Sequence, residues 1–295
     1  MSKKATKTSS FGISKRESHD SSGFYNSKLY SNVIIEPTVF EENEVSKQNL
    51  NKIFCKSSEK MNELPDNSIH LAVTSPPYNV GKEYDKDLSL EEHLSLIGRV
   101  LSETYKKLML GGRICINVAN LGRKPYIPIN SYITQTMLDI GFLMRAEIIW
   151  NKAASAGTSC AWGSWLSASN PALRDVHEYI LVFSKGKFLR EKNDREDTIE
   201  KNEFLEYTKS IWTFPTESAR RVGHPAPFPI ELPYRCIQLY TFKGDVVLDP
   251  FMGSGTTALA AIRTARNFIG YDNNKDYVKN AKKRIKFETD QTKIF

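Results

Sequence analysis

Val246-Val247-Leu248-Asp249-Pro250-Phe251-Met252-Gly253-Ser254-Gly255-Thr256-Thr257 reads as a short buried strand, a tight turn of small residues and a helix that begins near Thr256. A strand that feeds directly into a helix is the building unit of an α/β fold. Gly253, Ser254 and Gly255 carry little or no side chain, so a ligand can approach the backbone closely there. The turn lacks the lysine that follows the glycines of a phosphate-gripping loop, and it lacks the third glycine of a dinucleotide fingerprint. Phosphate binding is therefore disfavoured. A ligand carrying an amino acid group, with an ammonium for Asp249, fits better.

A second strand exit lies far upstream. The apolar run of residues 69–73 ends in Thr74-Ser75-Pro76-Pro77-Tyr78. Each proline fixes its own φ and drives the preceding residue out of the helical region, so the backbone from Ser75 to Pro77 is stiff and extended. Neither proline has an N–H to donate. The segment offers carbonyls, a serine hydroxyl and an aromatic face, which suits a flat group bearing amine hydrogens; a rigid strand exit with Tyr78 packed on the core is the purely structural alternative.

Between and around these stretches, short apolar runs alternate with segments of helical spacing. Strands are predicted over 52–55, 69–74, 113–118, 143–150, 178–183, 246–248 and 266–272. Helices are predicted over 59–64, 90–110 with a stop at Gly111-Gly112, 127–138, 257–264 and 275–287, with another through Leu232, Cys236 and Leu239. The alternation predicts one mostly parallel sheet with helices on both faces, whose ligands gather outside the strand carboxyl ends. Asn117 and Asn120, at the end of one strand, are candidates to line such a site. Residues 32–51 are expected to form a short strand and helix covering an edge. Residues 153–172 read as loop, with Trp162 and Trp165 expected to fill a small local core, base stacking being the alternative.

The paired motifs resemble those of the S-adenosylmethionine-dependent DNA amino-methyltransferases, in the permuted group where the catalytic motif precedes the glycine motif. The resemblance covers most of the chain after about residue 50. It implies a Rossmann-like methyltransferase fold with a mostly parallel seven-stranded sheet, and S-adenosyl-L-methionine as cofactor. It also implies catalytic roles for Ser75, Pro76, Pro77 and Tyr78, and cofactor contacts at Ser57, Thr74, His224, Phe228, Asp249, Phe251, Gly253, Ser254, Gly255, Thr256 and Asp272. Ser57 stands where relatives often carry an aspartate. In such enzymes Ser-Pro-Pro-Tyr or Ser-Pro-Pro-Phe usually accompanies cytosine N4 chemistry, and Asp-Pro-Pro-Tyr or Asn-Pro-Pro-Tyr adenine N6 chemistry. The expectation is therefore methylation of cytosine N4 in double-stranded DNA after base flipping. Adenine N6 methylation is the first alternative, and a nonenzymatic nucleic-acid binder on the same fold the second.

Composition, rich in Ser, Lys and Thr, marks residues 1–30 as a flexible basic arm; beyond it, by the same resemblance, the chain divides into a catalytic half (31–184), a target-recognition insertion (185–222) and a cofactor-binding half (223–295). Lys82, Lys152, Arg190, Arg195, Arg220 and Arg221 are candidates for DNA contacts. A cognate restriction endonuclease and a homodimer are the implied partners besides DNA. Composition agrees with a DNA ligand without demonstrating one, since the formal charge is +7. No run of about 18 uncharged apolar residues is present and the start lacks a secretory pattern, so a cytoplasmic protein is expected. Cys55, Cys115, Cys160 and Cys236 are too scattered for a metal or redox pair and read as free thiols; the histidines show no metal-ligand spacing.

Overall fold

The computed structural model describes residues 6–7, 19–20, 25–30, 41–78, 88–122, 124–152, 163–217 and 228–292. The chain divides into two units, Met1–Thr38 and Val39–Phe295. In the first, β1 (Thr6–Lys7) pairs in parallel with β2 (His19–Asp20), and Lys28–Tyr30 form one 3-10 turn. The described part of the predicted arm thus includes paired backbone.

The second unit is built on one sheet. Its strands are β3 (Lys52–Phe54), β4 (Ile69–Thr74), β5 (Leu108–Val118), β6 (Phe142–Asn151), β7 (His177–Lys185), β8 (Ile211–Thr213), β9 (Val246–Asp249) and β10 (Asn267–Tyr271). They lie in the order β3-β10-β9-β4-β5-β7-β6-β8. Only the β5–β7 and β6–β7 pairings are antiparallel, so β7 alone runs against the rest. The mostly parallel sheet is as expected, but it has eight strands among the described residues rather than seven. The extra one, β8, has three residues, too few for an alternation to be read.

The helices are α1 (Leu90–Lys107), α2 (Ile129–Ile140), α3 (Lys201–Tyr207), α4 (Glu231–Tyr240), α5 (Thr256–Arg263) and α6 (Lys275–Thr292). Successive strand residues point to opposite faces, so each inner strand feeds two cores. Leu71, Val73 and Val247 pack with Cys236 and Ile237 of α4, Ala260 of α5 and Val278 of α6. Ala72, Leu248, Leu181 and Phe183 face the other way, towards Ile97 and Leu101 of α1 and Ile133 and Met137 of α2. Both faces are therefore covered.

Several local elements differ from the sequence reading. Helix α1 starts at a reciprocal Ser89–Glu92 capping box but ends at Lys107, where Leu108 turns extended. The two glycines lie inside β5 instead of stopping the helix. Gly111 has φ +77°, and a Cβ there would sit 2.6 Å from the Leu189 carbonyl oxygen. It falls where the β4–β5 register slips, Ile69 facing Leu108 but Leu71 facing Arg113. Residues 59–64 form turns, not a helix: the Met61 amide donates to Glu103 Oε1 at 3.0 Å instead of to a helical carbonyl. Residues 41–51 likewise lack a strand or helix, although Val45 is buried and the Asn51 amide donates to Phe268 O beside β10. Trp165 is 70% exposed, so it fills no local core, and Trp162 lies outside the described residues. Cys115 and Cys236 are buried free thiols, Cys55 is exposed, and Cys160 lies outside the described residues.

The charged insertion is largely folded back onto the sheet. Strand β8 pairs with the edge strand β6, and Tyr207, Trp212 and Phe214 are buried with the Arg235 guanidinium stacked over all three rings. Arg190 is buried as well: its guanidinium makes a two-pronged ion pair with Asp245, at 2.6 and 3.0 Å, and stacks over Phe242. Arg195 pairs with Glu42 at 2.6 Å. His70, whose Nδ1 accepts from the Val246 amide, turns its Nε2 to the same glutamate. These hydrogen bonds hold the Glu42 carboxyl down at about 2. In this structure a carboxylate of the chain pairs with each of these arginines.

Removing one partner of a buried, two-pronged ion pair leaves an uncompensated charge, which typically costs about 3–5 kcal/mol. Arg190→Met is therefore expected to lose stability of that order in urea unfolding. Lys192→Met, which breaks the exposed pair with Asp197, should lose roughly 1 kcal/mol or less.

Candidate active site

Strands β4 and β9 are neighbours, so their carboxyl ends deliver the two motifs side by side. The bond that joins them is internal. Asp249 is 1% exposed; Thr74 Oγ1 donates to its Oδ1 at 2.7 Å and Thr257 Oγ1 to its Oδ2 at 2.7 Å. The Phe251 amide adds a third bond at 3.1 Å. Burial raises the Asp249 carboxyl to about 6 in spite of these donors. Asp249 and Thr74, expected as ligand contacts, are enclosed in this structure, and they tie the end of β4 to the end of β9 and the start of α5.

Beyond this tie opens a cleft of about 230 Å³. Ser75, Pro76, Pro77 and Tyr78 line one side, and Pro250, Phe251 and Gly253 another. Asp272, at the exit of β10, and Ser57, after β3, complete the residues expected from sequence. Asp272 accepts the Gly253 and Asn274 amides, each at 2.8 Å, while burial moves its carboxyl above the usual value. Ser57 Oγ donates to Glu59 Oε2 at 3.0 Å. Ser58, just behind it, bonds the Pro250 carbonyl at 2.7 Å and so locks the β3 exit to the glycine turn.

The remaining expected contacts are elsewhere. Ser254 and Thr256 are buried beneath the turn, with Arg284 donating to the Ser254 carbonyl at 2.6 Å. Gly255 has φ +84° and a Cβ there would lie 3.0 Å from the Ala281 Cβ, so its glycine serves the helix start and its packing on α6. Phe228 packs against the core under α4. Asn117 is buried, and the Asn120 side chain accepts the Asn130 amide; neither lines the cleft. Lys152 is claimed by Glu178 at 2.6 Å instead of presenting itself to a phosphate. Lys82, Arg220, Arg221 and His224 lie outside the described residues.

Glu178 was not singled out by sequence, yet it anchors the Ser75 side of the cleft. It takes Asn117 Nδ2 at 2.6 Å besides Lys152, and Tyr78 Oη approaches it at 3.4 Å and Ser75 Oγ at 3.4 Å. Burial first, and then the Glu178 charge, hold the Tyr78 phenol well above its ordinary value. The tyrosine is thus a neutral aromatic plate beside the serine. Lys56, Asn274 and Tyr277 also line the cleft and were missed, although each follows a strand whose exit was legible. His93, Leu96 and Val100 come from α1, and nothing in their spacing distinguishes them from ordinary core positions.

The sequence between residues 69 and 283 matches the family described as N6_N4_Mtase, DNA methylase. This chain belongs to that family. Type II methyltransferase M.MthZI of Methanothermobacter thermautotrophicus is 32% identical over 268 residues, covering 78% of this chain and 75% of the relative. M.MjaI of Methanocaldococcus jannaschii is 32% identical over 270 residues, covering 76% and 87%. Among solved structures, TTHA0409 of Thermus thermophilus, a candidate DNA modification methylase solved with S-adenosyl-L-methionine, superposes with a TM-score of 0.66 at 28% identity, over 81% of this chain and 94% of its own. The cytosine-N4-specific PvuII DNA methyltransferase shares the fold, with a TM-score of 0.64 at 22% identity, over 81% and 89%. The chain is a DNA methylase by family.

Asp249 generates a pH signature of its own. Its folded value lies above the ordinary 3.8, so the folded state holds a proton that the unfolded state has released between about pH 4 and 6. Stability should fall by about 3 kcal/mol as pH rises through that window from this group alone. Glu42, held low, contributes a slope of the opposite sign, so the test is the difference: the stability of the wild type minus that of Asp249→Asn, measured from pH 4 to 6, should fall by this amount.

Proposed function

We propose that this DNA methylase transfers a methyl group to N4 of cytosine in double-stranded DNA, with S-adenosyl-L-methionine as the donor. The observation that carries the reading is that Ser75-Pro76-Pro77-Tyr78 and the Phe251–Gly253–Asp272 set open onto one cleft. The lining suits the adenosine of such a cofactor. Asp272 retains lone pairs for a ribose diol, Phe251 offers an apolar ring, and no lysine follows the glycines to grip a phosphate. When bound, the cofactor supplies an electrophilic methyl group.

An exocyclic amine is a poor nucleophile because its lone pair is shared with the ring. Ser75 Oγ and the Pro76 carbonyl accept the two amine hydrogens, which orients the nitrogen and turns its lone pair out of conjugation. The same acceptors stabilise the positive charge that grows on nitrogen during transfer. Tyr78 stacks on the extruded base, a contact worth roughly 1–3 kcal/mol. Glu178 fixes the tyrosine from behind, and the cavity walls keep amine and methyl group in line, so orientation replaces covalent catalysis. The chain meets its base only after flipping, which costs a few kcal/mol and is offset by protein–DNA contacts.

A serine at the head of the tetrapeptide, in place of an acid, favours cytosine over adenine. Several relatives are Type II methyltransferases, which supports pairing with a restriction endonuclease of the same sequence specificity, acting in the cytoplasm. A homodimer belongs to the same proposal, and light scattering over a range of concentrations measures it.

Incubation with radiolabelled cofactor and a varied DNA pool, followed by digestion to nucleosides, tests the reading. Label is expected in N4-methylcytosine; label confined to N6-methyladenine overturns the base assignment, and label in neither overturns methyl transfer. Ser75→Ala should lower kcat by roughly 100-fold, in the range of a lost preorganised hydrogen-bond partner, with duplex affinity nearly unchanged.

A further inference from the structure

The mechanism leaves unused an apolar projection on the rim of the sheet. Strand β6 runs parallel to β4, so the chain leaving β6 emerges on the edge where Ser75 lies. It returns as residues 163–176, where the Lys152 amide bonds the Val176 carbonyl and His177 faces Asn151. The next residue, Glu178, is the one that approaches Tyr78. In the sheet β6 is three strand spacings from β4, about 14 Å. The base of the projection and the cleft therefore share one edge of the sheet.

The projection is ordered by its own hydrogen bonds. The Ser164 amide donates to Asn170 O at 2.7 Å, and the Asn170 amide returns to Ser164 Oγ at 3.0 Å. Ser164 Oγ donates to Ser167 O at 2.6 Å, and Ser167 Oγ to Ser169 Oγ at 2.9 Å. A Cβ on Gly163 would lie 2.5 Å from backbone atoms of Asn170 and Ala172, so the neck is closed tightly. At the tip this turn holds Trp165, 70% exposed, and Leu166, 89% exposed. Leu166 has φ +49°, a left-handed conformation that leucine rarely adopts. A strained backbone here holds an apolar side chain out in water, which folding alone does not account for.

We propose that the Trp165–Leu166 tip is a wedge that enters duplex DNA beside the extruded base and occupies the stacking space this base leaves. The inference rests on the DNA-methylation reading and adds a duplex-facing element to it. The occupant follows from shape and chemistry. The vacated space is bounded by flat apolar base faces, which suit an indole and a leucine, and below them the Ser169 hydroxyl and the Asn170 side chain are neutral donors of the kind that commonly meet phosphates. Two side chains on a polar stalk present far less than the roughly 800 Å² per partner of a stable protein interface, which disfavours a second copy as the occupant.

Trp165→Ala and Leu166→Gly, singly and together, test the wedge; glycine keeps the left-handed turn and removes only the side chain. On the target duplex the double variant should lose roughly 10- to 100-fold in kcat/KM, the scale of a lost unstacking contribution. On the same duplex with an abasic site opposite the target base, where the base is already unpaired, its activity should return to within about threefold of wild type. Equal losses on both substrates, or no loss on the intact duplex, overturn the wedge. So does a loss accompanied by a change of mass in light scattering, which would make the tip a contact between copies. A second readout needs no turnover: duplex DNA should quench more tryptophan fluorescence in the wild type than in Trp165→Phe, since Trp150 and Trp212 are buried. If the wild type labels no DNA, methyl transfer fails as a reading, while an equal quench in both proteins still overturns the wedge.

Discussion

One buried carboxylate makes a site out of two distant stretches. Thr74 and Asp249 are 175 positions apart, and their 2.7 Å bond joins the ends of adjacent central strands. Thr257 binds the other oxygen, so the start of α5 is fixed by the same group. Everything that lines the cleft is placed relative to this junction: Ser75 follows Thr74, Phe251 donates its amide to Asp249, and Gly253 reaches across to Asp272. The junction is also expensive electrostatically, because it keeps a carboxylate out of water with neutral donors and no cation beside it.

The basic surplus of the chain is spread differently from what its sequence suggests. Arg190, Arg195 and Lys152, read as candidates for DNA, are each held by a carboxylate of the protein. The charged stretch after β7 thus acts partly as mortar: it binds Glu42 and Asp245 and carries β8 to the edge of the sheet. A net charge of +7 describes the whole field around the molecule, and not which cations are left to meet a phosphate.

The architecture was legible because buried strands and amphipathic helices leave different periods in the sequence, and the two strand exits were legible because proline and glycine act locally. The same reasoning failed where partners from afar decided the outcome. Gly111 looked like a helix stop, but the stop is Leu108, and the glycine answers to Leu189 across a bulge. Ser254 and Thr256 were expected at a ligand from the resemblance alone, and no local signal announced that Arg284 of α6 would bond both. Glu178 carried no signal at all, since an isolated acid at the start of a strand is silent until Tyr78, Asn117 and Lys152 converge on it.

The place of β9 and β10 in the sheet bears on how the chain comes to be folded at all. Both come last among the strands in sequence order, yet β9 is an immediate neighbour of β4, and β10 the pairing partner of β3. A nascent chain that has finished its first half holds an unzipped sheet edge, with Leu71 and Val73 lacking their cover from α4 and α5. Closing that edge means joining ends separated by most of the polypeptide, the kind of long loop that slows folding and invites aggregation. The strands that carry the two motifs are therefore no more separable than two sides of a seam.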